Sequence, residues 1–321
     1  MTRHLINYST LPCSTIQSQI KLTMNPWFVT GLTDGEGTFT VSIYKSKDRK
    51  TEWRIQPSFS IELHKKDLTL LNRIQSFFSA GTIRIREKNG QGGIYSVNDL
   101  KELTNVIIPH FDKYTLLTQK RADFELFKKI VIMMCNKEHL ASEGLTKIIS
   151  IRASMNKGLS ETLLTNFPDI IPVVRPLVES MEIPDCNWLA GFTEADGCFY
   201  VSVVKSKTTT GFTVQLKFQL TQHSRDKQLM EYLITYLECG RYEARSKNAQ
   251  AGNFVVSKLS DITKKIIPFF DKYPIIGSKS KDFADFKLVS KLIENKAHLT
   301  AEGLDQIKKI KERMNTGRKE E

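Results

Sequence analysis

A nine-residue segment occurs twice in this chain, and its recurrence restricts what the remainder can fold into. Val29-Thr30-Gly31-Leu32-Thr33-Asp34-Gly35-Glu36-Gly37 returns as Leu189-Ala190-Gly191-Phe192-Thr193-Glu194-Ala195-Asp196-Gly197. Each copy has an aromatic lead-in, Trp27-Phe28 or Trp188, and each runs straight into an alternating apolar strand. Glu36 and Asp196 lie 160 positions apart. One residue is lost in the loop between the first two strands, and the offset is then 159 to the end. Residues 107–114 match 266–273, 136–140 match 295–299, and 155–158 match 314–317. The chain is therefore two similar halves.

Within each half the hydrophobic period switches from helix to two strands, then helix, two strands and further helices. This is an α+β fold of two pseudo-symmetric αββαββα repeats, each with a four-stranded antiparallel sheet. Asn25 followed by Pro26 makes a good helix entry, a capping side chain and then a ring that fits the first turn. Gly37 and Gly197 stand where a left-handed residue would close the motif helix. Phe39, Val41 and Ile43 alternate with Thr38, Thr40, Ser42 and Tyr44. Ile55, Phe59, Ile61 and Leu63 alternate with Arg54, Gln56, Ser58, Ser60 and Glu62, and Val214, Leu216, Phe218 and Leu220 with Thr213, Gln215, Lys217, Gln219 and Thr221. Helical stripes such as Leu70, Leu71, Ile74, Phe77 and Phe78, or Phe124, Phe127, Val131 and Met134, read as core.

The halves are expected at residues 25–158 and 186–321. Between them, 159–185 carries Pro168, Pro172, Pro176 and Pro184, which favour an extended linker over a helix. Residues 1–24 contain no acid and many Ser and Thr, the composition of a flexible leader, with a weak transit signal as the other reading. Five cysteines form no CxxC pair, so free thiols are expected in place of a zinc site or a disulfide frame. No apolar run approaches about 18 residues, so no membrane span is expected. A net charge of +12 points to a polyanionic partner.

Gly31 and Gly35 share one helix face, as do Gly191 and Ala195, which lets two helix backbones approach closely. Glu36 and Asp196 would then meet at the base of the helix pair. A carboxylate in the last turn of a helix faces the negative end of the dipole, which costs a few tenths to about 1 kcal/mol. Two such groups also repel, and a local rule broken twice at matched positions signals function. A divalent cation with hard oxygen ligands, Mg²⁺ first, offsets that repulsion. Asp34 and Glu194 lie two residues earlier, about 200° round the helix, and should act structurally. His64 with His223, and His139 with His298, match across the repeat without a ligand cluster, so structural hydrogen bonds are expected.

The outer strand faces supply groups for base edges and phosphates. In the first half these are Thr38, Thr40, Ser42, Tyr44, Lys45, Lys47, Arg54, Gln56, Ser58 and Ser60, with Arg84 and Arg86 on the third strand. In the second half they are Tyr200, Ser202, Lys205, Lys207, Thr213, Lys217, Gln219 and Thr221, with Arg241 and Glu243 on the third strand. A ten-residue strand spans roughly 33 Å. Two halves end to end would cover roughly 20 base pairs of duplex.

The paired nonapeptides resemble those of the LAGLIDADG homing endonucleases, the single-chain, two-motif kind of fungal mitochondrial introns, over nearly the whole chain from about Asn25. The resemblance implies a monomer with pseudo-two-fold symmetry whose sheets form a saddle over double-stranded DNA. It implies Mg²⁺-dependent cleavage leaving 3′ overhangs, with Mn²⁺ or Ca²⁺ also able to occupy the site, and a mitochondrial location. Carried over, the metal ligands are the side chains of Glu36 and Asp196 and the carbonyls of Gly35 and Ala195. Polar and basic strand residues assist in the family, which implies catalytic roles for Gln215 and Arg245, with Gln56 and Arg86 at the matching places. Lys120 and Lys279 match across the repeat and could steady charge on the phosphate. Metal held by the two acids would activate water and stabilise the leaving 3′ oxygen. The alternatives are a maturase acting on intron RNA and a DNA-binding protein without cleavage.

Overall fold

The computed structural model describes residues 24–86, 92–179, 182–208, 210–245 and 250–318. The expected leader at 1–24 falls outside these residues except for Met24, which is buried in the first half's core. Helix α1 (Pro26–Glu36) opens on Asn25, whose side-chain oxygen accepts the Trp27 N–H at 2.8 Å. Strands β1 (Gly37–Lys45) and β2 (Trp53–His64), helix α2 (Leu68–Phe78), and strands β3 (Thr82–Ile85) and β4 (Gly92–Val97) follow. Helices α3 (Leu100–Glu102), α4 (Ile108–Lys113), α5 (Lys120–Cys135) and α6 (Ser142–Ala153) complete the first half, and α7 (Glu161–Asn166) lies in the connector. The second half repeats the order with α8 (Cys186–Asp196), β5 (Gly197–Lys205), β6 (Phe212–His223), α9 (Lys227–Tyr236), β7 (Arg241–Ala244) and β8 (Ala251–Val256). Helices α10 (Leu259–Asp261), α11 (Ile267–Lys272), α12 (Lys279–Glu294) and α13 (Ala301–Glu312) close it.

Both sheets are antiparallel, ordered β1-β2-β4-β3 and β5-β6-β8-β7. Their apolar faces pack on helices through matched aromatic clusters. Phe39 touches Phe59, Phe111, Phe124 and Phe127. Phe199 touches Phe218, Phe270, Phe283 and Phe286 in the same arrangement. All of these rings are buried, so each half holds its own core and turns its sheet's polar face outward.

Two expectations need correction. Gly37 and Gly197 are extended, with φ of −74° and −82°, so neither is a left-handed cap. Glycine is needed there for space. A Cβ would stand 2.4 Å from the Thr33 methyl in one copy and 2.5 Å from the Thr193 methyl in the other, because the strand leaves flush against the helix. The connector is not extended throughout either. Its first turn is α7, capped by the Ser160 hydroxyl, and its prolines begin only after that helix ends. From 170 to 179 the path forms neither helix nor strand, and Arg175 ties it down by donating to both Asp123 oxygens at 2.7 and 2.8 Å.

Three contacts join the halves near the motif helices. Asp67 accepts the Ser278 N–H at 2.6 Å and its hydroxyl at 2.9 Å, while Asp226 accepts the Gln119 N–H at 2.7 Å. Asp34 accepts the Trp188 indole N–H at 2.7 Å. At the centre, a Cβ on Gly31 would lie 1.9 Å from the Trp188 carbonyl oxygen and one on Gly191 2.0 Å from that of Phe28. The two helices therefore run in the same direction with their backbones touching. Gly191→Ala forces them apart, and we expect a loss of about 3 kcal/mol, at the upper end of ordinary overpacking. Urea unfolding measures it; an unchanged midpoint would show that the backbones do not meet.

Candidate active site

The close helix packing sets the position of the acids. A Cβ on Gly35 would lie 2.2 Å from the Ala195 Cβ and 2.7 Å from Asp196 Oδ2, so the Asp196 carboxylate rests against the last turn of α1, beside Glu36. Burial raises the pKa of Glu36, and Glu62 adds to the rise while Lys279 and Lys120 oppose it. Asp196 is pushed up to about 6, first by burial and then by the Glu36 charge. Asp196 thus feels the charge of Glu36, as neighbouring carboxylates should.

Two lysines face this pair. Lys120 Nζ donates to the carbonyl oxygens of Thr33 at 2.8 Å and Gly35 at 2.7 Å. Lys279 Nζ donates to those of Glu194 at 2.7 Å and Ala195 at 2.5 Å. Burial lowers both lysine pKa values, and the surrounding acids oppose that shift. Each ammonium thus sits on a carbonyl predicted to bind metal. It marks the ground as cation-attracting and all its acceptors as hard oxygens. Among the described residues no cluster of three or more His, Cys, Asp or Glu side chains could hold a metal. Two carboxylates and two carbonyls fit a hard divalent ion whose remaining ligands come from water and phosphate.

A cleft opens on each side of the acid pair. One, of about 640 Å³, contains Glu36, Glu62, Lys66, Arg86, Ala195 and Lys279. The other, of about 310 Å³, contains Gly35, Glu36, Lys120, Gln222 and Arg225. The repeat exchanges Lys279 with Lys120 and Lys66 with Arg225.

Asp34 and Glu194 border the clefts, but both are buried with their oxygens held by backbone amides, the structural role expected. Asp34 accepts from the Leu117 and Thr118 N–H groups, both at 3.0 Å, and from the Thr118 hydroxyl at 2.6 Å. Glu194 accepts the Gly277 N–H at 2.8 Å and is pushed up to about 7, mainly by burial. The position matching Trp188 is Phe28, so Glu194 has no indole partner. His64 and His223 accept the Lys66 and Arg225 N–H groups at 3.3 and 3.1 Å, the expected structural role. His139 and His298 differ: Nδ1 of each is buried with no hydrogen-bond partner.

Among the strand positions, Thr38, Thr40, Ser42 and Tyr44 pair across the outer face with Ser60, Ser58, Gln56 and Arg54. Tyr200 pairs with Lys217 and Ser202 with Gln215, while Gln219, Thr213 and Thr221 share that outer face by alternation. Arg84 and Glu243 occupy matched places opposite Ile94 and Asn253, and Arg241 lies opposite Val255. Lys45 and Lys205 fall on the inward-facing alternation, opposite Trp53 and Phe212, and are exposed at the strand ends, with Lys45 Nζ over the Trp53 ring. Lys47 and Lys207 lie in the hairpin loops beyond.

Gln215 is misplaced as a catalytic residue. Gly197 pairs with Leu220 and Ser202 with Gln215, so Gln215 lies five residues along the sheet from the acid, roughly 16 Å at strand rise. Gln56 is equally remote in the first half. The glutamine at the acids is Gln222, whose Nε2 donates to Asp196 Oδ2 at 2.5 Å. Its signal was present in the sequence: Gln222 occupies an inward position where the first half has Leu63. Arg86 lies in the larger cleft, bound to Glu62 at 3.1 Å, and Arg245 lies just past β7 at the matching place. Strand β8 is the expected fourth strand, and its outward Asn253 is a site-facing residue not singled out from the sequence.

The fold and the acid pair define a pseudo-symmetric, two-motif scaffold. The model of the LAGLIDADG endonuclease family matches residues 29–131 and 189–290, and the chain belongs to that family. "Probable intron-encoded endonuclease 2" of Neurospora crassa is 41% identical over 299 residues, which cover 90% of this chain and 64% of that protein. The chain thus spans just under two thirds of that relative's length. The I-SmaMI LAGLIDADG homing endonuclease bound to cleaved DNA is 44% identical with a TM-score of 0.90, over 92% of this chain and 98% of that one. I-SmaMI bound to uncleaved DNA in the presence of calcium ions matches at 44% and 0.89, over 92% and 100%.

The raised pKa of Asp196 has a sign that can be tested. Stability linked to this group is fully present below about pH 3.8 and is lost as pH rises through about 6, because the folded state holds the proton more tightly. Asp196→Asn removes that loss. In metal-free buffer the variant should be more stable than the parent at pH 8, by up to about 3 kcal/mol at 1.36 kcal/mol per pKa unit. The difference should close towards pH 4. Equal stability at pH 8 would show that the carboxylate is not held against its charge.

Proposed function

We propose that this chain is a site-specific double-strand DNA endonuclease that hydrolyses one phosphodiester in each of two clefts. The observation that carries this reading is the Glu36 and Asp196 pair at the touching ends of α1 and α8, with Lys120 and Lys279 placed one to each side. The polar strand faces continue outward from the clefts, as a surface for about 20 base pairs of an asymmetric target. Residues 25–158 and 186–321 act as two half-domains joined by 159–185, and the protein acts as a monomer.

Glu36, Asp196 and the carbonyls of Gly35 and Ala195 would hold divalent metal, with Mg²⁺ as the proposed ion. Bound there, it supplies Lewis acidity towards the phosphate and a more acidic water. The two carboxylates orient what binds between them, and Gln222 fixes the rotamer of Asp196. Lys120 and Lys279 bring positive charge to the oxygens on which charge develops. Released from their carbonyls, both ammonium groups would be free to donate to a phosphate oxygen. The paired acids are what favours cleavage over the RNA-binding and non-cleaving alternatives, neither of which uses them. Mitochondrial location is proposed from the family resemblance and the intron-encoded relatives, as is the production of 3′ overhangs.

A cleavage screen against a duplex library with randomised flanks, with and without Mg²⁺, tests the function. Both strands should be cut only with metal, and binding should weaken steeply with salt. Glu36→Gln should lower cutting by at least about a thousandfold, the scale of losing a metal-holding acid, while target binding by gel shift stays within about threefold. A Glu36→Gln protein that still cuts both strands at the parental rate would refute the assignment.

A further inference from the structure

The two clefts correspond under the repeat, yet the strand residues facing them do not. Glu62 lies on the outer face of β2, and the matching residue of β6 is Thr221. Glu62 Oε2 and Arg86 Nη2 form an ion pair at 3.1 Å, both side chains are about half exposed, and both line the cleft of Glu36 and Lys279. Thr221 instead sits in a neutral chain. It accepts from Gln219 Nε2 at 3.1 Å and donates to Asn253 Oδ1 at 2.9 Å. Arg245, the counterpart of Arg86, makes no ion pair among the described residues.

We infer that Glu62 is an electrostatic brake on one of the two cleavage sites, so that the strand seated in the Lys279 cleft is cut second. The inference rests on the nuclease reading above. Net charge does not separate the clefts: setting aside carboxylates whose oxygens are bound inward by hydrogen bonds, each has one more cation than anion. The difference is local. A phosphodiester entering the Lys279 cleft brings its charge towards the half-exposed Glu62 carboxylate. Arg86, the cation suited to receive it, must first leave Glu62. A phosphodiester entering the other cleft meets Lys120 and Arg225 and no counterpart of Glu62. Arg225 leans on Asp226 only at 3.7 Å, and Asp226 is already committed to Gln119. Like charges near a reacting phosphate slow the reaction at that phosphate alone, because screening limits their range to roughly 8–10 Å.

The test uses a duplex recovered from the library screen, with each strand carrying a different 5′ dye, under single-turnover conditions with Mg²⁺. Wild type should cut one strand faster and accumulate a nicked intermediate. Lys279→Met should further slow the slower strand, which identifies its cleft. Glu62→Thr, which installs the residue of the other half, should speed that strand by about three- to tenfold, the scale of one partly screened unit charge. The other strand should change by less than about twofold. Glu62→Gln keeps the size of the side chain and must shift the ratio in the same direction. The reciprocal Thr221→Glu should slow the faster strand. The ratio of two rates in one molecule is an internal control that a general loss of stability would not move. Equal strand rates in an active wild type, or a ratio untouched by both Glu62 variants, would overturn the brake alone. A wild type that cuts no duplex would overturn both readings.

Discussion

The backbone of α1 rests on the backbone of α8 at Gly31 and Gly191, and the rest of the molecule is arranged to keep it there. No side chain beyond hydrogen fits at either residue, since a methyl would penetrate a peptide carbonyl of the other helix. Contact this close brings the ends of the two helices together, and Gly35 leaves room for the Asp196 carboxylate beside Glu36. Helix packing is thus also the device that creates the site. Two acids on helices separated by the usual 8–10 Å would not share a ligand so readily.

Carboxylates forced together need compensation, and each half supplies it with help from the other. Lys120 begins α5 and Lys279 begins α12, and each lies one residue past a backbone amide held by an aspartate of the opposite half. Asp226 secures the entry to α5, and Asp67 secures the entry to α12. An anion at a helix N-terminus is favourable in its own right, because it satisfies amides that have no partner within the helix. Here it also fixes where the first-turn lysine projects. Each half therefore depends on its neighbour to aim its own lysine, which couples docking of the halves to assembly of the clefts.

Pseudo-symmetry holds in the cores and breaks at the clefts. Phe39 and Phe199 make the same four ring contacts, and Asn156 and Asn315 donate to the same carbonyls, of Phe39 and Phe199, at 2.9 and 3.1 Å. At the acids the matched pairs are Glu36 with Asp196, Leu63 with Gln222, and Glu62 with Thr221. Core positions tolerate only similar shapes, whereas positions facing an asymmetric duplex are free to diverge. The asymmetry of the site is a feature of its lining and not of its scaffold.

The repeat, the order of elements, the inward and outward faces of β1, β2 and β6, and the two acids were legible from residue order. Alternation at period two and helical spacing are local properties, and the duplication doubled every signal. The roles of Asp34 and Glu194 followed likewise from the rotation per residue of a helix. What failed depended on register or on distant partners. Gln215 and Gln222 are both polar residues on one strand, and only the pairing of Gly197 with Leu220 shows which of them lies at Asp196. Gly37 was assigned a left-handed conformation because the sequence shows that glycine is required but not whether for torsion or for space. The cross-half aspartates could not have been found at all, since Asp67 and Ser278 stand 211 residues apart. The sequence alone determined the duplication and the matched placement of Glu36 and Asp196, because these are patterns along the chain. Tertiary structure decided which glutamine, which lysines and which aspartates complete the site, because contacts across a two-fold interface leave no periodic trace in the order of residues.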